Sequence, residues 1–302
     1  MSFAVVFSGQ GNQHAAMLPW LDDDATLRSM CARLDTTNWR ASLADPTWAT
    51  SNAKAQVLLT GTALAAWTQL ARLLPAPACT AGYSVGELAA FSAAGMFDSQ
   101  LALDLAVRRA DAMDRCAERA PGGMLAIGGL TSAAIDELCA RSGVFVAIRN
   151  GADSVVVGGL RAAIEKAKTS AASMGGRTTQ LAVAVASHTP LMREAAHEFA
   201  QVLAAVTMGA PRPVLFSNAA DRVHDDVEAR QALASQIASP VRWDECMENI
   251  LSRSPSCVLE VGPGQALARM WNERYPEVPA RSCDEFRSSA AIARWVVDSG
   301  ER

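Results

Sequence analysis

The sequence predicts an α/β fold: a large domain with a mostly parallel sheet covered by helices, and a small domain inserted into it. Three observations carry this prediction. Apolar strand signals alternate with Ala- and Leu-rich helical stretches through residues 1–123. Gly82-Tyr83-Ser84-Val85-Gly86 has the form G-x-S-x-G and stands between a strand signal and a helix signal, the setting of a sharp strand-to-helix turn. From Met124 the order becomes β-α-β-β-α-β, the split-βαβ or ferredoxin-like unit.

The elements follow from periodicity and punctuation. Residues 3–7 are a short apolar strand, and 56–74 a long helix. Residues 77–81 enter the Ser84 turn as a strand, and 87–91 leave it as a helix. Residues 101–119 form an amphipathic helix ended by Pro121-Gly122-Gly123. In the small domain, strands are predicted at 124–128, 144–148, 154–157 and 178–185, and helices at 132–141 and 160–174. Asn150-Gly151-Ala152-Asp153 is the turn of its hairpin. The α/β pattern then resumes with helices at 190–206 and 229–237 and from 264, and strands at 214–217 and 257–261. The large domain therefore takes 1–123 and 187–302, the small one 124–186, with a ligand site expected between them.

Composition narrows the function. Of 302 residues, 50% are hydrophobic, enough for a sizeable core. A net charge of −4 with scattered basic residues suggests neither a nucleic-acid nor a membrane partner. The seven cysteines form no C-x-x-C pair, as in a reduced cytoplasmic protein without a zinc site. Met1–Phe7 lacks a basic leader and reads as a strand rather than a signal peptide.

A serine at such a turn has its hydroxyl pushed clear of the backbone, and the following helix aims N–H groups at it. A nucleophilic serine needs a base. The candidates are His14, His188, His197 and His224. His188 lies at a strand-to-helix junction, with Pro190 suited to the first helical turn. No histidine follows His224, which argues against an ordinary esterase, whose histidine comes late in the chain. A second glycine-rich turn, Ser8-Gly9-Gln10-Gly11, matches no phosphate-loop pattern; the Gln10 and Val85 N–H groups read as a two-donor oxyanion hole. Arg109 shares an apolar stripe with Leu105, Met113 and Cys116, which calls for an anionic partner, either an internal carboxylate or a ligand.

Together, Phe7-Ser-Gly-Gln-Gly-Asn-Gln13, Gly82-Tyr-Ser-Val-Gly-Glu-Leu-Ala-Ala90, Ser187-His-Thr-Pro-Leu-Met192 and Glu260-Val-Gly-Pro-Gly264 resemble, in order and over essentially the whole chain, the malonyl-CoA:acyl-carrier-protein transacylases and the acyltransferase domains of polyketide synthases. The resemblance implies an α/β-hydrolase-like large domain with the ferredoxin-like insert. It implies Ser84 as nucleophile, His188 as base, and Gln236 as donor of the backbone carbonyl that orients His188. Gln10 and Val85 would be the oxyanion donors, Arg109 the holder of the malonyl carboxylate, and Gln56 a further pocket residue. Tyr83 stands where the family usually has His, and Ser8 where Pro is common; the bulkier Tyr83 would alter the pocket and so the acyl group preferred.

The implied reaction is ping-pong malonyl transfer from malonyl-CoA, through a malonyl-Ser84 ester, to the phosphopantetheine-type thiol of an acyl carrier protein. No metal or bound cofactor is implied. Fatty-acid synthesis, a polyketide pathway supplied in trans and the malonate decarboxylase system all fit, and the sequence dialect leans to the last. A thioester hydrolase on the same fold and a non-catalytic carrier-protein docking module are the competing readings. A cytoplasmic monomer, alone or within a pathway complex, is the expectation.

Overall fold

The computed structural model describes residues 2–301. Its eleven strands are β1 (Phe3–Phe7), β2 (Cys79–Gly82), β3 (Gly122–Gly128), β4 (Phe145–Gly151), β5 (Ser154–Leu160), β6 (Arg177–Gln180), β7 (Val214–Phe216), β8 (Arg222–Val223), β9 (Val241–Arg242), β10 (Cys257–Val261) and β11 (Ala280–Ser282). They form two sheets.

The larger sheet has the order β11-β10-β1-β2-β7-β8. It is parallel except at the edge pair β7–β8. β1 shows why the sheet is buried on both sides. Its odd residues Phe3, Val5 and Phe7 join the core that holds Leu58, Phe91 and Leu105. Its even residues Ala4 and Val6 join a second core with Trp243, Met247 and Trp271. A strand covered on both faces reads as an unbroken apolar run, here Phe-Ala-Val-Val-Phe. β1, β2 and β10 run side by side, so the loops after Phe7, Gly82 and Val261 gather at one edge, where α/β sheets place their ligands.

The smaller sheet has the order β6-β3-β5-β4-β9. Its β3–β5, β3–β6 and β4–β5 pairs are antiparallel. Helices Ser132–Ser142 and Arg161–Ser173 cover one face through Ile135, Leu138 and Ile164, packed on Leu125, Ile127 and Val157. Met124, Ile148 and Val156 on the other face join the core containing Trp243.

Three differences from the sequence expectation bear on the site. The strand expected over 178–185 pairs only as far as Gln180. Beyond Leu181, whose N–H still reaches the Met124 carbonyl, the chain leaves the sheet and crosses toward His188. The helix expected from 190 begins as a 3-10 turn, Pro190–Met192, before the α-helix Arg193–Ala204. β9 comes from outside 124–186, yet pairs in parallel with β4 at Ile148 and Arg149 and so stitches the large unit to the small sheet.

Phe7 is fully buried in the central strand and ends at the loop bearing Gln10. Phe7→Ala is expected to destabilise the fold by about 3–5 kcal/mol. The shift of the denaturant midpoint at constant slope measures it.

Candidate active site

The turn at Ser84 is built by exclusion. A Cβ on Gly82 would lie 2.1 Å from the Gly86 carbonyl carbon, and one on Gly86 would lie 2.4 Å from the Phe7 oxygen. Only glycine fits either place. Between them Ser84 has a φ of 55°, a left-handed conformation that costs a non-glycine residue about 1–2 kcal/mol. The strain is held by hydrogen bonds on both sides of the residue. The Ser84 N–H donates to Asn218 Oδ1 at 2.8 Å, and the Ser84 carbonyl accepts from Gln236 Nε2 at 2.8 Å.

Ser84 Oγ lies 2.7 Å from His188 Nε2. His188 Nδ1 lies 2.7 Å from the Gln236 backbone oxygen. A carbonyl can only accept, so Nδ1 carries the ring proton and Nε2 is left to accept the serine proton. His188 is also left-handed, with a φ of 62°, and its N–H donates to the Ile237 carbonyl at 2.9 Å. Burial pushes the imidazole down to about 3, the nearby Arg109 charge adds to this, and the bond to Gln236 opposes it. The ring is therefore neutral at pH 7, the form a general base needs.

The other histidines lie elsewhere. His14 Nε2 meets Asp284 at 2.9 Å, and His224 meets Glu228 at 2.9 Å. His197 meets Gln201 at 3.1 Å along its helix.

Arg109, on the helix Ser99–Arg119, is 3% exposed. Its Nη1 donates to Gln56 Oε1 at 2.6 Å and its Nη2 to Gln236 Oε1 at 2.7 Å. Gln56 is fixed in turn by its own amide, which donates to Asn52 Oδ1 at 2.9 Å. The stripe arginine thus meets two neutral amide oxygens rather than a carboxylate. Burial pulls its guanidinium down to about 10, opposed by the Glu87 charge, and it stays cationic at pH 7. These bonds use two of its five N–H groups.

Gln10 lines a cavity of about 340 Å³ that reaches Ser84 and His188. Met124, Ile148, Val156, Leu181 and Met270 give it largely apolar walls, and Asn12, Tyr83 and Asn150 supply polar groups. The Gln10 and Val85 N–H groups meet no acceptor among the described residues. Val85 is the N-cap of the helix Gly86–Ala93, so its N–H belongs to the positive end of that helix. The structure thus brings together Ser84, His188, Gln236, Arg109 and Gln56, with Gln10 and Val85 beside the serine.

The two unusual residues have partners of their own. The Tyr83 hydroxyl donates to Asn150 Oδ1 at 3.0 Å, and its ring meets Trp243 edge-on at 5.4 Å. Ser8 Oγ donates to Glu260 Oε1 at 2.8 Å. Glu260 also accepts from the Ala268 N–H at 2.9 Å, and burial pushes its carboxyl up to about 7.

Two residues were not reached by sequence reasoning. Asn218, fully buried, holds the Ser84 N–H and donates from Nδ2 to the Gly82 carbonyl at 2.7 Å. Glu87, 1% exposed, accepts from the Asn218 N–H and from Gln236 Nε2, each at 2.5 Å. Burial pushes Glu87 up to about 7, against the pull of those bonds, of the Ser217 hydroxyl and of Arg109. The one available signal was an acid beginning the otherwise apolar helix Gly86-Glu-Leu-Ala-Ala-Phe-Ser-Ala93.

A strained serine on a strand-to-helix turn, a neutral histidine oriented by a carbonyl, and paired N–H donors have the geometry that covalent acyl transfer requires. The model of the acyl transferase domain matches residues 4–299, and the chain belongs to that family; it is an enzyme, an acyltransferase. It is 31% identical to the malonyl CoA-acyl carrier protein transacylase of Haemophilus influenzae, over 98% of this chain and 99% of that protein. The Escherichia coli K12 protein of the same name is 30% identical over 96% of this chain and 98% of its own length. Among solved structures, FabD of Xanthomonas oryzae superposes with a TM-score of 0.87 at 28% identity, covering 99% of both chains. A malonyl-transacylase solved with its type II PKS acyl-carrier protein superposes with a TM-score of 0.90 at 28% identity, over 97% of this chain and 99% of that one.

Among the described residues no helix is long and apolar enough to cross a membrane, and no group of three or more His, Cys, Asp or Glu side chains gathers to hold a metal ion.

His188 is expected to stay neutral well below pH 6.5. Its folded-state pKa is depressed, so folding excludes a proton that the unfolded chain accepts. The stability this ring contributes is complete above about 6.5 and is lost as pH falls toward about 3. NMR of the ring in the native protein should show no titration between pH 8 and pH 5. A midpoint in the ordinary histidine range would contradict the burial argument.

Proposed function

We propose that the chain transfers malonyl from malonyl-CoA to the phosphopantetheine-type thiol of an acyl carrier protein through a malonyl-Ser84 ester. One observation carries this reading. The guanidinium of Arg109 is bound to Gln236, whose backbone carbonyl orients the base His188 beside Ser84 Oγ. A cation fixed against the catalytic residues suits an acyl group that ends in a carboxylate.

In the first half-reaction Ser84 Oγ attacks the thioester carbonyl and His188 Nε2 takes its proton. The oxyanion rests on the Gln10 and Val85 N–H groups, each worth roughly 3 kcal/mol. The intermediate collapses, His188 returns the proton to the departing CoA thiolate, and the acyl group stays on Ser84. In the second half-reaction the carrier thiol gives its proton to His188 and attacks the ester. The proton then goes to Ser84 Oγ. The malonyl carboxylate would sit on the remaining Arg109 N–H groups, with Gln56 and Gln236 holding the guanidinium fixed. The mostly apolar cavity with amides at Asn12 and Asn150 suits a pantetheine arm, which is aliphatic with two amides.

We read residues 124–186 as a ferredoxin-like insert in an α/β-hydrolase-like domain formed by 1–123 and 187–302; the sheet order β6-β3-β5-β4 supports this. The acceptor is read as a discrete carrier protein of the cytoplasm, served by a monomer alone or within a pathway complex. Malonate decarboxylase is the leaning among the three contexts, on the dialect of Tyr83 and of Ala280–Phe286.

Arg109→Ala tests the reading. Removing one partner of a buried charge pair costs roughly 2 kcal/mol or more, so malonyl transfer should fall at least about 30-fold further than acetyl transfer. The measurement is kcat/KM for each acyl-CoA with holo carrier protein as acceptor. Equal loss for the two would contradict the carboxylate role. Steady CoA release without acyl carrier product would favour the hydrolase reading.

A further inference from the structure

We propose that Glu87 is a positioning residue whose buried carboxylate fixes the nucleophile and its base relative to each other. The inference rests on the reading of Ser84 and His188 as nucleophile and base.

The carboxylate has one oxygen on each of two arms. Oε1 accepts from the Asn218 N–H at 2.5 Å, and the Asn218 side chain accepts from the Ser84 N–H at 2.8 Å. Oε2 accepts from Gln236 Nε2 at 2.5 Å. That same amide nitrogen donates to the Ser84 carbonyl at 2.8 Å, and the Gln236 backbone oxygen meets His188 Nδ1 at 2.7 Å. Both peptide groups of the strained Ser84, and the carbonyl that sets the imidazole tautomer, are thus tied to one side chain.

The chemistry of the contacts requires a side chain that accepts at both of its terminal atoms. Gln236 spends both amide hydrogens, one on Ser84 and one on Glu87, and its Oε1 is taken by Arg109. Its amide can therefore sit in one orientation only. Both groups facing Glu87 on these arms are N–H donors, so position 87 must accept at both oxygens. Glutamine there would turn an NH2 group against one of them. Glu87 lies on the first turn of the Gly86–Ala93 helix, away from the cavity walls, so it acts through these neighbours and not on substrate.

The test is the isosteric Glu87→Gln in the full chain. The probe is p-nitrophenyl acetate, which carries neither a carboxylate nor a pantetheine arm. Ser84 Oγ attacks its carbonyl, His188 takes the proton, and p-nitrophenolate leaves as a coloured burst. The burst rate is expected to fall roughly 10- to 100-fold, as for misplaced reacting groups, with KM for malonyl-CoA within about twofold of wild type. An unchanged burst rate would overturn the proposal, even with a lowered melting temperature, because Glu87 would then serve the fold alone. A raised KM at unchanged kcat would overturn it too.

If Glu87→Gln does not fold, Glu87→Asp takes its place. It keeps the charge but reaches one donor at most, and an intermediate burst rate is expected; a full rate overturns the proposal. A wild-type burst without malonyl transfer would sink the transfer reading and leave this inference standing. A wild type with no burst would overturn the activated serine on which both depend.

Discussion

Gln236 is the joint on which the site depends. Its backbone oxygen orients His188, its amide nitrogen holds the Ser84 carbonyl, and its amide oxygen holds Arg109. In many serine enzymes a carboxylate orients the histidine and stabilises the imidazolium. Here a neutral carbonyl orients it, and the nearby charge belongs to an arginine that opposes protonation. The imidazole is therefore kept neutral, as the proposed role of general base requires. This suits proton exchange with a thiolate leaving group, which needs less acid assistance than an alkoxide or an amine.

On the proposed reading, the arrangement also links acyl recognition to catalysis. A carboxylate arriving at Arg109 meets a guanidinium already bound to Gln56 and Gln236. Any shift of the guanidinium is felt at the residue that sets the His188 tautomer. On that reading the acyl group's far end and the base are one side chain apart, and binding energy from the carboxylate can be used to organise the reacting atoms. The cost of holding Ser84 and His188 in left-handed conformations is met locally, by backbone hydrogen bonds and by the glycines at 82 and 86.

Much of this was legible in the sequence because it is local. The Phe3–Phe7 run and the glycines around Ser84 each state their structure within a few residues, whereas Gly122 and Gly123, read as a stop, open β3. Arg109 was legible as a cation on an apolar stripe, but its amide partners were not, since Gln56 and Gln236 lie far away along the chain. Asn218 and Glu87 gave little signal for the same reason: their partners are backbone groups brought close only by the fold. The alternation through Leu181, Val183 and Val185 marks a ribbon with one buried side. A segment lining a cavity produces the same pattern: pairing stops at Gln180, and Leu181 and Val183 line the cavity. The two-residue strand β9 is set by its neighbour β4 and has no sequence pattern of its own.

On the proposed reading, Ser84 carries a dicarboxylic acyl group between two thiols. Intact-mass spectrometry of the protein after brief exposure to malonyl-CoA tests it most directly. One malonyl adduct is expected, mapped to Ser84 by peptide digestion, absent in Ser84→Ala and discharged when holo carrier protein is added. An unmodified protein beside accumulating malonyl carrier, or an adduct on another residue, would contradict it.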